Sequence, residues 1–193
     1  RRSNRARRAR PALRMGAEVY QSLKKILRDR KLSTTVGDEG GFAPSLASNK
    51  EAVELVVAAI EAAKYKPGED IYVALDVAAT ELLKDGRYVF QREGRSFTSS
   101  ELIHLYESWA GQYPIISIED GMGEDDWDGW KALTQRLGSR IQVVGDDLYV
   151  TNAQRLSQGI AQKASNAILI KVNQVGTFTE TLHTLGIAQR AGF

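Results

Sequence analysis

The sequence predicts an α/β chain built on a parallel sheet, and three observations lead there. From residue 98 onward, short apolar runs alternate with segments of helical period. The runs PIISIE, IQVVGD and AILIK end on Glu119, Asp146 and Lys171, which are 27 and 25 residues apart, about one strand–helix unit each. The helical segments open on capping residues, Thr98 with Glu101 and Thr177 with Glu180.

Taken in order, the first ten residues, RRSNRARRAR, hold six arginines and no acid. A segment without apolar period cannot offset its ordering entropy by burial, so a disordered lead-in is expected over residues 1–12. It is too short to define a binding module, and nucleic acid is not expected as a partner. From Leu13 a helix is predicted, with Met15, Val19, Leu23, Ile26 and Leu27 on one face. The glycine-rich loop VGDEGGFAPS follows. Ser48 and Glu51 then open a second helix carrying Val53, Val56, Val57 and Ile60 inward. KPGED turns the chain into the strand IYVALD, which ends at Asp76, and LLKDGRYVF reads as a hairpin around Asp85-Gly86. Helices are expected to about Gln112, around Trp127, Trp130, Leu133 and Leu137, from Asn152 to about Gln162, and after Thr177.

Composition excludes several classes. The chain has no cysteine, so disulfides and thiolate metal sites are ruled out, in keeping with a reducing compartment. No apolar run approaches the roughly 18 residues needed to span a bilayer, and no membrane partner is expected.

Four predicted strands end in Asp76, Glu119, Asp146 and Lys171, and a parallel sheet places such ends along one edge. Three carboxylates brought together repel unless neutralised, and hard oxygen donors without His or Cys point to Mg²⁺. Beside a divalent cation and partly desolvated, Lys171 is expected to lose affinity for its proton. Bringing it from about 10.4 to near 7 requires about 4 to 5 kcal/mol of differential stabilisation. A neutral amine there can take the proton alpha to a carboxylate whose growing charge the cation stabilises. In the glycine-rich loop, Asp38 and Glu39 add two carboxyls, either of which can serve as a general acid. Asp120 and Asp147 are read as supporting or capping groups. Glu124, Asp125, Asp126 and Asp128 are read as solvated first-turn acids. Trp127 and Trp130 are read as core anchors, and His104 and His183 as structural or surface residues.

The motifs RMGAEVY, VGDEGGFAP, ALDVAATE, SIEDGMGEDDWDGW, VGDDLYVTN and ILIKVNQVGTFTETL, in this order, resemble the enolase family over residues 13–193. The arginine block resembles nothing in it. The resemblance implies a partial TIM-like (β/α) barrel of about four βα units, preceded by a helical segment and the glycine-rich loop. It implies an incomplete C-terminal barrel domain over 13–193, with the amino-terminal domain and last barrel strands absent. The implied reaction is dehydration of 2-phospho-D-glycerate to phosphoenolpyruvate, the phosphopyruvate hydratase step of glycolysis. Asp76, Glu119 and Asp146 correspond to ligands of Mg²⁺, Lys171 to the base at C2, and Glu39 to the acid at the C3 hydroxyl. Glu119, Asp146 and Lys171 also correspond to substrate contacts. A homodimer and a cytoplasmic location are implied, and this chain alone is expected to show no turnover. Thr80 and Ser45 depart from the usual serine and asparagine of the family's motifs without touching these roles. The alternatives are another carboxylate enzyme of the superfamily, which usually shows an early Lys-x-Lys not found here, or a non-enzymatic enolase-derived protein.

Overall fold

Two units, Arg1–Val73 and Ala74–Phe193, make up the computed structural model of the chain. It describes residues 2–193, with side-chain surroundings from residue 10 onward.

In the first unit, helix α1 (Arg2–Asp29) packs against helix α2 (Asn49–Ala62). α1 begins eleven residues before Leu13, where the helical signal was expected to start. Arginine and alanine are both good helix formers, so an arginine-rich stretch can continue a helix that apolar periodicity does not mark. The side chains of residues 1–9 lie outside the described residues. Leu27 is fully buried, Met15, Val19, Leu23 and Ile26 are half-buried, and Leu13 is exposed. α2 buries Val53, Leu55, Ala59 and Ile60, leaving Val56 and Val57 half-buried. Its cap is as expected at Ser48, whose hydroxyl accepts the Glu51 N–H at 3.2 Å. The Glu51 carboxylate accepts the Ala47 N–H at 3.0 Å. Between the helices, the glycine-rich loop folds back on itself. Val36 bridges Phe42, Gly37 N–H donates to Gly41 C=O, and Phe42 stacks on Tyr20 at 4.3 Å between ring centroids.

The second unit holds a four-stranded sheet in the order β1 (Val73–Asp76), β5 (Ile115–Glu119), β6 (Gln142–Gly145), β7 (Ala167–Ile168). β5 pairs parallel with β6, and β6 parallel with β7. A three-stranded antiparallel sheet, β2 (Leu83–Lys84), β3 (Arg87–Phe90) and β4 (Arg95–Phe97), interrupts the alternation. Its first turn is the expected hairpin: Lys84 pairs with Arg87, and both Asp85 and Gly86 take positive φ, 49° and 76°. Helix α3 (Ser99–Gln112) starts from a reciprocal capping box between Thr98 and Glu101. α4 (Trp127–Leu137) follows β5, and α5 (Ala153–Gln162) follows β6. β7 leads into the single turn α6 (Val172–Val175) and then α7 (Phe178–Ala191).

The core lies between sheet and helices. Ile118, Val143, Leu102, Tyr106, Trp130, Leu133, Leu137, Leu148 and Leu156 are all within 1% of full burial. Asn166 locks α4 to β6: its amide donates to Gly138 and Ile141 C=O, and its carbonyl oxygen accepts the Val143 N–H at 2.7 Å. AILIK is a shorter strand than the apolar run that predicts it. Only Ala167–Ile168 are strand, and residues 167–171 are half-buried, because among the described residues β7 has a sheet neighbour on one side only. Among the described residues no helix is long and apolar enough to cross a membrane.

Candidate metal centre

The sheet brings the charged strand ends to one edge. Glu119 ends β5 in register with Val144 of β6, so Asp146 lies just past that rung, and Gly145 is level with Ile168 of β7. Pairing runs on beyond the strands, with Val77 N–H donating to Glu119 C=O at 3.0 Å and Leu169 N–H to Gly145 C=O at 3.1 Å. Asp76, Glu119, Asp146 and Lys171 therefore emerge from adjacent strands on the same side.

The carboxylates form two overlapping groups. Oxygens of Asp76, Glu119 and Asp120 lie within 4.8 Å of one another, as do oxygens of Asp120, Asp146 and Asp147. Asp120, which sequence reading left in a supporting place, belongs to both. Its backbone is left-handed, with φ 43°, which aims the side chain across to β6. There its two oxygens accept the N–H groups of Asp146 at 3.0 Å and Asp147 at 2.9 Å. Burial pushes the Asp120 carboxyl up to about 6 in spite of those bonds. Glu119 is pushed up to about 7, first by burial and then by the charges of Asp76, Asp146 and Asp120. A cluster of this kind holds its charge only at a cost. The donors are all carboxylate oxygens, from the exposed Asp76 to the buried Asp120 and Asp146, and they suit a hard divalent cation.

Lys171 and Gln174 hold the other side. The Lys171 ammonium bonds to one oxygen of Asp146, and the Gln174 amide donates to the other at 2.9 Å. The Lys171 main-chain N–H donates to the Thr151 hydroxyl at 2.9 Å, and that hydroxyl donates to the Gln174 carbonyl oxygen at 3.2 Å. Thr151 follows Val150, and both adopt positive φ, 57° and 43°, an unusual pair for β-branched residues. The loss of proton affinity expected of Lys171 belongs to the cation-bound site; the contact with Asp146 acts in the opposite direction. The Lys171 pKa is raised, because the bond to Asp146 outweighs desolvation of a side chain that remains 42% exposed.

Glu39 and Asp38 stand exposed at the tip of the glycine-rich loop, in the turn that Gly40 closes with φ 85°. Asp126 is not the solvated acid expected of it. It caps α4 through the Gly129 N–H at 2.9 Å, and its other oxygen accepts the hydroxyls of Tyr88 at 2.7 Å and Ser99 at 2.6 Å. Glu124, Asp125 and Asp128 are exposed. Trp130 is a core residue whose indole donates to Gly123 C=O at 3.0 Å. Trp127 is only half-buried beneath the Arg155 guanidinium, 5.5 Å from its ring centroid. His104 and His183 are exposed. Thr80 accepts the Glu124 N–H at 3.0 Å through its hydroxyl, a bond that serine can also make.

Sequence reading missed Gln174 and Thr151. The only signal was that both fall inside the quoted motifs VGDDLYVTN and ILIKVNQVGTFTETL.

A family model described as enolase, C-terminal TIM barrel domain, matches residues 3–193. The matched span takes in most of the arginine block, which sequence reading had set apart from the family. The parallel sheet with its helices is the architecture of part of such a barrel. A match over nearly the whole chain, on a fold that gathers acids and a lysine at the carboxyl ends of its strands, shows that this chain belongs to the enolase C-terminal barrel family.

Proposed function

We propose that the chain carries the proton-abstraction centre of a phosphopyruvate hydratase, which converts 2-phospho-D-glycerate to phosphoenolpyruvate and water. The observation that carries this reading is the pairing of Lys171 with Asp146, whose carboxylate group shares Asp120 with that of Glu119 and Asp76, at adjacent strand ends of an enolase-family barrel. Asp76, Glu119 and Asp146 would hold the cation, Mg²⁺ on this reading. When bound it supplies positive charge against the negative charge that builds on a substrate carboxylate.

The residues divide the work. Lys171 takes the C2 proton onto Nζ, which requires a neutral amine. Its pairing with Asp146 favours the charged form, so it becomes a base once Asp146 is engaged as a ligand. Glu39 gives a proton to the C3 hydroxyl as the C3–O bond breaks, and the C2 electron pair forms the new double bond. Proton abstraction alone is shared with other carboxylate enzymes of the superfamily, so loss of the C3 hydroxyl distinguishes this reaction. A homodimer and a cytoplasmic location belong to the same reading.

The test is calorimetric binding of 2-phospho-D-glycerate to the 193-residue chain, with and without Mg²⁺, together with entry of solvent deuterium at C2. Binding that requires Mg²⁺, lost in Asp146→Asn, with deuterium entry lost in Lys171→Ala, is the expected result. Metal-independent binding, or none, overturns the reading, and inversion at C2 without loss of water points to a racemase. Phosphoenolpyruvate is followed in parallel. Its appearance overturns the expectation of an inactive chain and leaves the site assignment intact.

A further inference from the structure

We propose that Gln174 is a positioning residue that orients the Asp146 carboxylate for a divalent cation, with Thr151 as its anchor. The inference rests on the metal site proposed above. It starts from a closed ring of hydrogen bonds: Gln174 to Asp146, Asp146 to the Lys171 ammonium, the Lys171 main-chain N–H to Thr151, and Thr151 back to Gln174.

The ring fixes an otherwise free choice. An amide side chain can present either its NH₂ or its oxygen to a neighbour. The Thr151 hydroxyl accepts the Lys171 N–H through a lone pair and directs its own proton at Gln174 Oε1. The NH₂ must then face Asp146. Thr151 is itself held, fully buried, with its carbonyl accepting the Thr184 hydroxyl of α7 at 2.9 Å. Gln174 sits in the one-turn α6, which Gly176 ends with φ 94°. With the amide on Oδ1 and the ammonium on Oδ2, the Asp146 carboxylate cannot rotate about its terminal bond. Lysine alone does not achieve this, because its flexible stem follows the carboxylate wherever it turns. Groups that orient a ligating side chain typically carry about 10- to 100-fold in metal affinity.

The probe is Mn²⁺, titrated into the full chain and followed by the electron paramagnetic resonance of the free ion. Gln174→Met is expected to weaken binding by about tenfold or more. Thr151→Val is expected to lower affinity in the same direction, and Thr151→Ser, which keeps the hydroxyl, to restore it. A Gln174→Met affinity within about twofold of wild type overturns the proposal, even if its thermal midpoint falls, since a merely structural role would move only the midpoint. If Gln174→Met does not fold, the Thr151→Val and Thr151→Ser pair decides: equal affinities overturn the anchor and the latch together. The Gln174 side-chain amide resonances supply a readout without metal, expected to be distinct in wild type and solvent-averaged in Asp146→Ala, which removes the acceptor. Solvent-averaged resonances in wild type overturn the latch. Equal Mn²⁺ affinity in wild type and Asp146→Asn, or no binding by wild type, sinks the metal site itself and this inference with it.

Discussion

The Asp120 carboxylate receives the main-chain N–H of Asp146 at 3.0 Å, tying the end of β5 to the end of β6 through a buried negative charge. That bond locates one proposed cation ligand relative to its neighbour Glu119, and it concentrates like charge at the sheet edge.

A pH dependence follows. Asp120 rises from 3.8 to about 6 and Glu119 from 4.5 to about 7, so each folded carboxyl binds its proton more tightly than the unfolded one. Stability present below pH about 4 is then lost as pH climbs through about 7. Asp120 accounts for no more than about 3 kcal/mol of this, and the half-exposed Glu119 adds less after solvent screening. Urea unfolding in chelator should show the decline, and added Mg²⁺ should flatten it. Stability rising through the same window would mean these carboxylates are not strained by one another.

Removing one charge should separate stability from binding. Glu119→Gln keeps the shape and deletes a carboxylate crowded by Asp76, Asp146 and Asp120. The metal-free chain is expected to gain about 1 kcal/mol above pH 7, while losing divalent-ion affinity. Unfolding in chelator and a Mn²⁺ titration check the two halves. A destabilised variant would show that Glu119 is held by bonds rather than crowded by charge.

Asp126 and Tyr88 join the three-stranded sheet to α4. The Tyr88 hydroxyl donates to Asp126 and accepts the buried Gly123 N–H at 2.9 Å. Tyr88→Phe leaves that N–H without its partner, at a cost of about 1 to 3 kcal/mol. Asp126→Ala loses a helix cap along with the acceptor of two hydroxyls, and is expected to cost at least as much. Chemical denaturation of both variants and of the double variant is the measurement. Additive effects would exclude a shared network.

Tyr149 lies against two glycines. A Cβ at Gly145 would stand 2.7 Å from its ring, and one at Gly159 would stand 2.2 Å from its hydroxyl. Gly145→Ala and Gly159→Ala are each expected to destabilise by about 1 to 3 kcal/mol through overpacking. Only Gly145→Ala should also weaken divalent-ion binding, because Asp146 is its next residue. Equal effects on binding would place the disturbance in the fold as a whole.

Much of this was readable in the sequence because it depends on local chemistry. Ser48, Thr98 and Thr177 all cap helices as their spacing with a following glutamate implied. Asp85-Gly86 makes the turn its two left-handed residues require, and the charged ends of β1, β5 and β6 mark one sheet edge. What escaped depends on distance. β4 is three residues long and shows no usable alternation. Asp126 looks like any acid in an acidic run until Tyr88, 38 residues earlier, meets it. Which oxygen of Asp146 the Lys171 ammonium touches is likewise not contained in spacing. Gln174 carries no charge and breaks no pattern, so only tertiary contact singles it out.

The left-handed pair Val150 and Thr151 constrains how this segment can vary. Two successive residues at positive φ swing one hydroxyl onto the Lys171 backbone, immediately before Asn152 caps α5. A single insertion or deletion between Asp146 and Asn152 would turn that hydroxyl away, even with every side chain retained. A homologous chain with a longer or shorter connection would therefore have to find its anchor elsewhere.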